Sequence, residues 1–265
     1  MPCSAMFHRI FVFLQIMSLL KQSFILIVCV VMVSELSAQQ KLAGWVSELG
    51  FTRLSNKFTL ETDATLHSTS GWQHIQSYQI WIGLLYYFNP HWNIGLGYSA
   101  DVKRESEDGK NAYLPEHQVW EQLLCSYPWQ LGKEAHGRKV NMIQRLRLED
   151  RFIPVIAEDG NTLKAESSIF AARLRYLLRN QIPVLPSEVF LKGPYVVLQD
   201  EVFMNLNNYD KLNVKFLDQN RCFAAAGYRF AKSLDVEVGY QFQYTQTKTT
   251  DSKNNIIQLG ALIHL

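Results

Sequence analysis

The sequence predicts an all-β chain: an antiparallel, transmembrane up-and-down β-barrel of 10–12 strands, preceded by a cleavable signal peptide. Three observations carry this expectation. An apolar run near the N-terminus is too short to cross a bilayer as a helix. Long segments after it alternate apolar and polar residues with a period of two. The polar rows of those segments carry glycine and full charges.

Residues 23–33 form the apolar run, about eleven residues where a membrane helix needs about 20. Arg9 and Lys21 precede it, and Ser34-Glu35-Leu36-Ser37-Ala38 follows with small residues at its end. Charged, apolar, then small is the order of a secretory signal, so cleavage is expected after Ala38. The division expected is therefore a signal over 1–38 and a barrel over 39–265. A second apolar segment, Ile10 to Leu14, makes the first 16 residues unusual for a signal, and Met17 is the alternative start. Cys29 lies inside the apolar run rather than at its end, which argues against a lipid anchor. Cys125 and Cys222 follow the signal; the spacing fits either a pair in an oxidising compartment or two small apolar strand residues.

Charge excludes one function class. Residues 1–38 hold Arg9, Lys21 and Glu35, leaving 24 basic against 23 acidic residues of the 26 and 24 in the chain. General nucleic-acid binding needs a concentrated basic face, and this balance provides none.

The alternation is clearest over 234–245. There Leu234, Val236, Val238, Tyr240, Phe242 and Tyr244 oppose Asp235, Glu237, Gly239, Gln241, Gln243 and Thr245. Segment 58–67 sets Phe58 and Leu60 against Glu61 and Asp63. Segment 92–103 sets Ile94 and Leu96 against Gly95, Gly97 and Asp101. Segment 169–179 places Arg173, Arg175 and Arg179 on one side, and the last strand places Ile257, Leu259, Ala261, Ile263 and Leu265 on one face. A soluble β-sandwich also alternates. These strands are longer than the five or six residues usual there, and they fit the 9–11 that a tilted membrane strand needs. Aromatic residues gather near strand ends, including Trp72 and Tyr127. Trp45, Tyr86, Tyr87, Trp92, Trp120 and Trp129 are the six expected in membrane-interface girdles. Leu265 departs from the aromatic residue that usually ends such a barrel.

Eleven strand candidates emerge: 43–51, 56–67, 76–88, 91–104, 115–127, 138–152, 168–180, 194–205, 216–230, 233–246 and 254–265. Bacterial single-chain barrels have even strand numbers. Either 43–51 then lies outside the sheet, giving ten, or a strand hides in 181–193, giving twelve. The short turns at Asn89-Pro90 and Ala231-Lys232 are expected on the periplasmic side. Loops 105–113, 153–167, 206–215 and 247–253 are expected outside.

Several segments together carry a family resemblance: Trp120-Glu-Gln-Leu, Gln144-Arg-Leu-Arg-Leu-Glu-Asp-Arg-Phe152, Arg173-Leu-Arg-Tyr-Leu-Leu-Arg179, Asp200-Glu-Val-Phe203 and Asp218-Gln-Asn-Arg-Cys-Phe-Ala-Ala-Ala-Gly-Tyr228. In order and spacing they resemble the uncharacterised bacterial outer-membrane β-barrel family, domain of unknown function 2490, over roughly residues 42–265. The resemblance implies a barrel in the outer membrane of a Gram-negative-type cell envelope. It implies no activity, substrate or catalytic residue.

Arg145, Arg147, Glu149 and Arg151 share one face of a strand, Arg173 and Arg175 one face of the next, and Glu201 and Arg221 lie on later strands. Facing lipid, each arginine near the midplane would cost about 2–4 kcal/mol. A lumen ion-pair network is therefore expected, either plugging a narrow barrel and fixing its shape or forming an anion-selective constriction. No catalytic residue, cofactor or metal site is expected. His67, His74, His91, His117, His136 and His264 are scattered, and no nucleophile-elbow, zinc-protease or P-loop motif occurs. Gly95 and Gly97 read as a strand making room for neighbours. The turns at 107–111 and 159–161 read as loop turns, with a calcium site as the alternative.

The expected function is a non-enzymatic outer-membrane barrel: a structural or interaction protein, or a small channel with an Arg–carboxylate-lined lumen. A lipid- or envelope-modifying enzyme in the same membrane is the alternative, and an adhesin or receptor acting through loops 105–113 and 153–167 is a third reading. Expected partners are outer-membrane lipid and the barrel-assembly machinery during insertion, reached by export through the periplasm, with no nucleic acid. The ligand, if any, is not legible.

Overall fold

A computed structural model describes residues 42–132, 138–160, 162–186 and 189–265. The signal expected over 1–38 and the alternative start at Met17 lie outside the described residues. Eleven strands form a closed barrel in which each strand pairs with its sequence neighbours. They are β1 (Ala43–Arg53), β2 (Phe58–Ser68), β3 (Ile75–Asn89), β4 (Trp92–Glu107), β5 (Lys110–Leu131), β6 (Arg138–Asp159), β7 (Thr162–Pro183), β8 (Gly193–Asn205), β9 (Val214–Ala231), β10 (Leu234–Thr247) and β11 (Ser252–His264). A single-turn helix, α1 (Tyr209–Leu212), joins β8 to β9.

Strand number corrects the expectation of an even count. All eleven candidates are strands: β1 belongs to the closed sheet, and no strand occurs among the described residues of 184–192. Antiparallel neighbours reverse direction at each step, so an odd number brings the first and last strands together pointing the same way. β1 and β11 accordingly close the barrel as a parallel pair, from Ala43↔Ile256 to Phe51↔His264. Hydrogen bonds from Leu265 N to Phe51 O (2.8 Å) and from Arg53 N to Leu265 O (2.7 Å) extend that seam to the end of the chain.

Turn chemistry fits the connections. At the β3–β4 turn the Asn89 side chain accepts from the amides of His91 (2.8 Å) and Trp92 (3.0 Å), a local cap on a tight reversal. At the opposite end of the barrel Asp108 and Gly109 both have positive φ (47° and 78°), the backbone of a two-residue hairpin turn.

That turn overturns a second expectation. Segments 105–113 and 153–167 are not long loops; they are the arms of two hairpins. β5, β6 and β7 each run 22 residues, twice the length of β1 and β2. At this hairpin end β7 pairs with β6 from Thr162 onward, but its ladder with β8 starts only at Arg173↔Asn205. The free edge so exposed carries Lys164 and Glu166, charges of the kind that discourage edge-to-edge pairing. Burial alternates little along these arms, with 153–157 uniformly half-buried and 164–167 uniformly exposed, which removes the contrast that marks a strand and explains why the arms read as loops.

Polarity across the wall is the reverse of a water-soluble core. Outward-facing apolar side chains are exposed, with Ile80 and Leu96 each at 57% and Val238 at 53%. Inward-facing Glu116, Glu149 and Asp235 are at 1%, 0% and 0%. The wall itself is tailored to one large inward residue. Trp120 lies against Gly83 and Gly97 on the two preceding strands, and a Cβ added at Gly83 would meet the indole at 2.2 Å. Gly83→Ala is expected to lower the unfolding free energy by about 1–3 kcal/mol, as overpacked cores do. Chemical denaturation of Gly83→Ala alone and with Trp120→Leu checks this: the double variant recovers most of the loss if the indole is the obstacle.

Candidate functional site: a braced barrel interior

Strand parity aims the charged side chains. Odd positions of β6, β7, β8, β9 and β10 point inward, as do even positions of β5, so Arg145, Arg147, Glu149, Arg151, Arg173, Arg175, Glu201 and Arg221 all reach the interior. All but Arg221 join a lattice of ion-pair clusters. Glu149 accepts from Arg173 Nε (2.7 Å) and from Arg175 Nη1 (2.6 Å). Glu201 accepts from Arg175 Nη2 (2.8 Å) and Arg145 Nη2 (2.9 Å). Arg151 grips Glu116 in bidentate fashion (2.6 and 3.1 Å), and Lys103 joins Glu116 (2.7 Å) to Asp101 (3.1 Å).

Some of these contacts span the barrel. Arg147 on β6 donates to Glu61 on β2 (2.8 Å) and to Gln122 on β5 (2.6 Å). Arg179 on β7 pairs with Glu237 on β10, which also accepts from the Tyr195 hydroxyl (2.8 Å). Arg229 and Asp235 form a bidentate pair at the turn end, both bonds 2.7 Å. Aromatic rings cover the guanidinium faces: Arg147 lies 4.3 Å from the Trp120 ring centroid and 4.9 Å from that of Trp81, and Arg175 lies 4.6 Å from Phe203. Ions this deeply buried persist because every charge has a counter-charge or hydrogen bonds nearby.

Glu61, Asp101, Lys103, Glu116, Asp235 and Glu237 belong to this lattice but were not among the expected network residues. The signal that could have found them is the same parity: each lies on the polar row of a recognised strand. Which row residue meets which across the interior is not encoded by adjacency.

The six aromatic residues expected at an interface divide by face. Tyr86, Trp92 and Trp129 point outward; Trp92 is exposed, and Trp129 is exposed with its indole donating to Asn180 (3.1 Å). Trp45, Tyr87 and Trp120 are a correction, because they point inward. Trp120 is buried beneath Arg147, Tyr87 packs on the Trp81, Leu85 and Trp120 cluster, and Trp45 lines an interior cavity beneath Arg221. The physical reason is parity: Trp120 alternates with Gln118 and Gln122, Tyr87 with Leu85, and Trp45 with Ser47. Nearness to a strand end does not decide the face.

Two cavities flank the lattice. One, of about 320 Å³, opens toward the turn end among Arg229, Asp235 and His264. The other, of about 420 Å³, opens toward the hairpin end among Ser68, Thr69, Lys103 and Arg173. Trp45, His67, Gln79 and Arg221 line both. His67 Nδ1 and Ser77 Oγ are 2.8 Å apart. Outside the wall, at the hairpin end, the Tyr244 hydroxyl and the Lys215 ammonium hold the Asp251 carboxyl below the usual carboxylate range. Cys125 and Cys222 are both free, and no cluster of three His, Cys, Asp or Glu suited to a metal occurs among the described residues.

These features define a class: a closed eleven-stranded β-barrel whose interior is braced by buried arginine–carboxylate pairs. The chain belongs to the DUF2490 family, described as a protein of unknown function, which matches residues 42–254. No curated protein and no solved structure matches the chain.

Proposed function

We propose that the chain is a non-enzymatic β-barrel of the bacterial outer membrane, whose arginine–carboxylate lattice plugs and stiffens a narrow lumen. The observation that carries this reading is the inverted polarity of the wall: an apolar exterior around a charged, buried interior. Spacing supports it. On β3 the outward rings of Tyr78 and Tyr86 bracket Ile80, Ile82 and Leu84. Eight residues at about 3.4 Å each, tilted by about 40°, give an apolar band of about 20 Å, close to the band of known membrane barrels. The export signal read over 1–38 supplies a route to the periplasm.

The His67–Ser77 pair favours a second reading, an envelope-modifying hydrolase. The two residues are direct register partners on β2 and β3, so adjacency alone accounts for their bond. The first reading stands on more of the molecule.

The test is reconstitution. Refolded chain mixed with phosphatidylcholine–phosphatidylglycerol vesicles is expected to co-float with the lipid. Added protease is expected to spare the wall and cut only at the ends, above all at the hairpin tips near 108–109 and 160. A chain that stays monodisperse in water without detergent, or that remains outside the vesicles, overturns the proposal.

A further inference from the structure

The geometry points to a binding site for a small oxyanion, a carboxylate or a phosphate on a soluble solute, at Arg221 where the two interior cavities meet. Arg145, Arg147, Arg151, Arg173, Arg175, Arg179 and Arg229 each have a carboxylate partner. Of the arginines lining the two cavities, Arg221 alone has no carboxylate oxygen within 4.0 Å among the described residues. Its position is nevertheless fixed. The Trp45 and Phe203 rings hold the guanidinium at 5.0 and 4.6 Å from their centroids, and Nε donates to Gln219 Oε1 at 3.2 Å. The Nη1 and Nη2 groups have no acceptor among the described residues, although Arg221 lines both cavities.

That arrangement is a preorganised fork. A guanidinium held by stacking and by one bond at Nε loses little freedom when a planar oxyanion takes its two Nη groups. The surroundings suit an anion. The hairpin-end cavity is lined by three cations, Lys103, Arg173 and Arg221, against one carboxylate, Asp101. The turn-end cavity has six arginines against five carboxylates. Approach from the hairpin end passes hydroxyl and amide side chains, Ser68, Thr69 and Gln76 among them, which suit the polar body of a solute. The lattice arginines suit this role less, because each already faces a carboxylate that offsets its charge and would repel a second anion.

The inference rests on reading the charged side of the wall as a plugged lumen whose two cavities open to water at its ends. Its test is calorimetric titration of the folded chain in detergent with inorganic phosphate and with succinate, at constant ionic strength set by chloride. At least one of the two is expected to bind saturably at one site; phosphate alone would assign phosphorylated solutes, and succinate alone carboxylates. Arg221→Gln is expected to weaken that binding about tenfold or more, Arg221→Lys to weaken it less, and Arg104→Gln at the rim to leave it unchanged. Absence of saturable binding by either anion overturns the inference, as does wild-type affinity in Arg221→Gln. Heat-modifiable gel mobility reports folding. If Arg221→Gln does not fold, Arg221→Lys carries the test, and unchanged affinity there is the overturning result. Failure to enter vesicles with anion binding intact would count against the membrane reading alone, whereas vesicle insertion without anion binding would count against this site alone.

Discussion

Glu149→Ala is expected to lower the unfolding free energy by about 3–5 kcal/mol, the cost of stripping the partner from buried charge. Glu149 is fully buried and accepts from two arginines at 2.6–2.7 Å. Its removal leaves Arg173 with only Asp218, 3.6 Å away, and Arg175 with only Glu201. Two guanidinium groups would then share an interior with too few acceptors and little water to replace them. The comparison is Glu158→Ala at the hairpin end. Its carboxylate also meets a cation at short range, Lys110 at 2.6 Å, but it is 50% exposed. Exposed pairs contribute about 0–1 kcal/mol, because water solvates both ions once they part. Urea unfolding of both variants in lipid vesicles, followed by tryptophan fluorescence, measures the difference. Equal losses would show that the interior is solvated well enough for the lattice to be incidental.

The same contrast explains what was legible in the sequence. Alternation reports a difference between the two faces of a strand, and wherever an apolar outer row opposes a charged inner one it marks the strands and aims the arginines. It failed where that difference vanishes. At Ser106 and Glu107, and again over 164–168, both faces of the hairpin arms are exposed, so the pattern fades although the backbone ladder continues. At Trp45, Tyr87 and Trp120 nearness to a strand end suggests an interface, but parity turns all three rings inward. Strand number was legible as a count of eleven, and only the general preference for even barrels stood against it. Nothing local marks the parallel closure of β1 on β11, because the two strands come together only when the sheet has curled. The contacts of Arg147 with Glu61 and of Arg179 with Glu237 were illegible for the same reason: the partners lie on strands that are not neighbours. The lone position of Arg221 is a property of the whole interior and of no segment in it.

Ile82→Arg is expected to destabilise the barrel in a lipid bilayer by about 2–4 kcal/mol, and Ile75→Arg by about 0–1 kcal/mol. Both residues are on β3 and about half exposed, Ile82 at 48% on the outward row and Ile75 at 49% beyond the register shift that pairs it with Ser68. They differ in height: Ile82 lies midway between the rings of Tyr78 and Tyr86, whereas Ile75 lies beyond Tyr78 toward the hairpin end. In water the two substitutions would be equivalent, each within about 0.5 kcal/mol of neutral, since an exposed arginine is well solvated. In hydrocarbon the central guanidinium must draw water or headgroups inward, while the outer one already sits among them. A depth-dependent cost is therefore specific to a surrounding bilayer and independent of what the interior binds. Unfolding free energies of the two variants in vesicles give the comparison, and near-equal values would place the exterior in water and remove the membrane from the proposal.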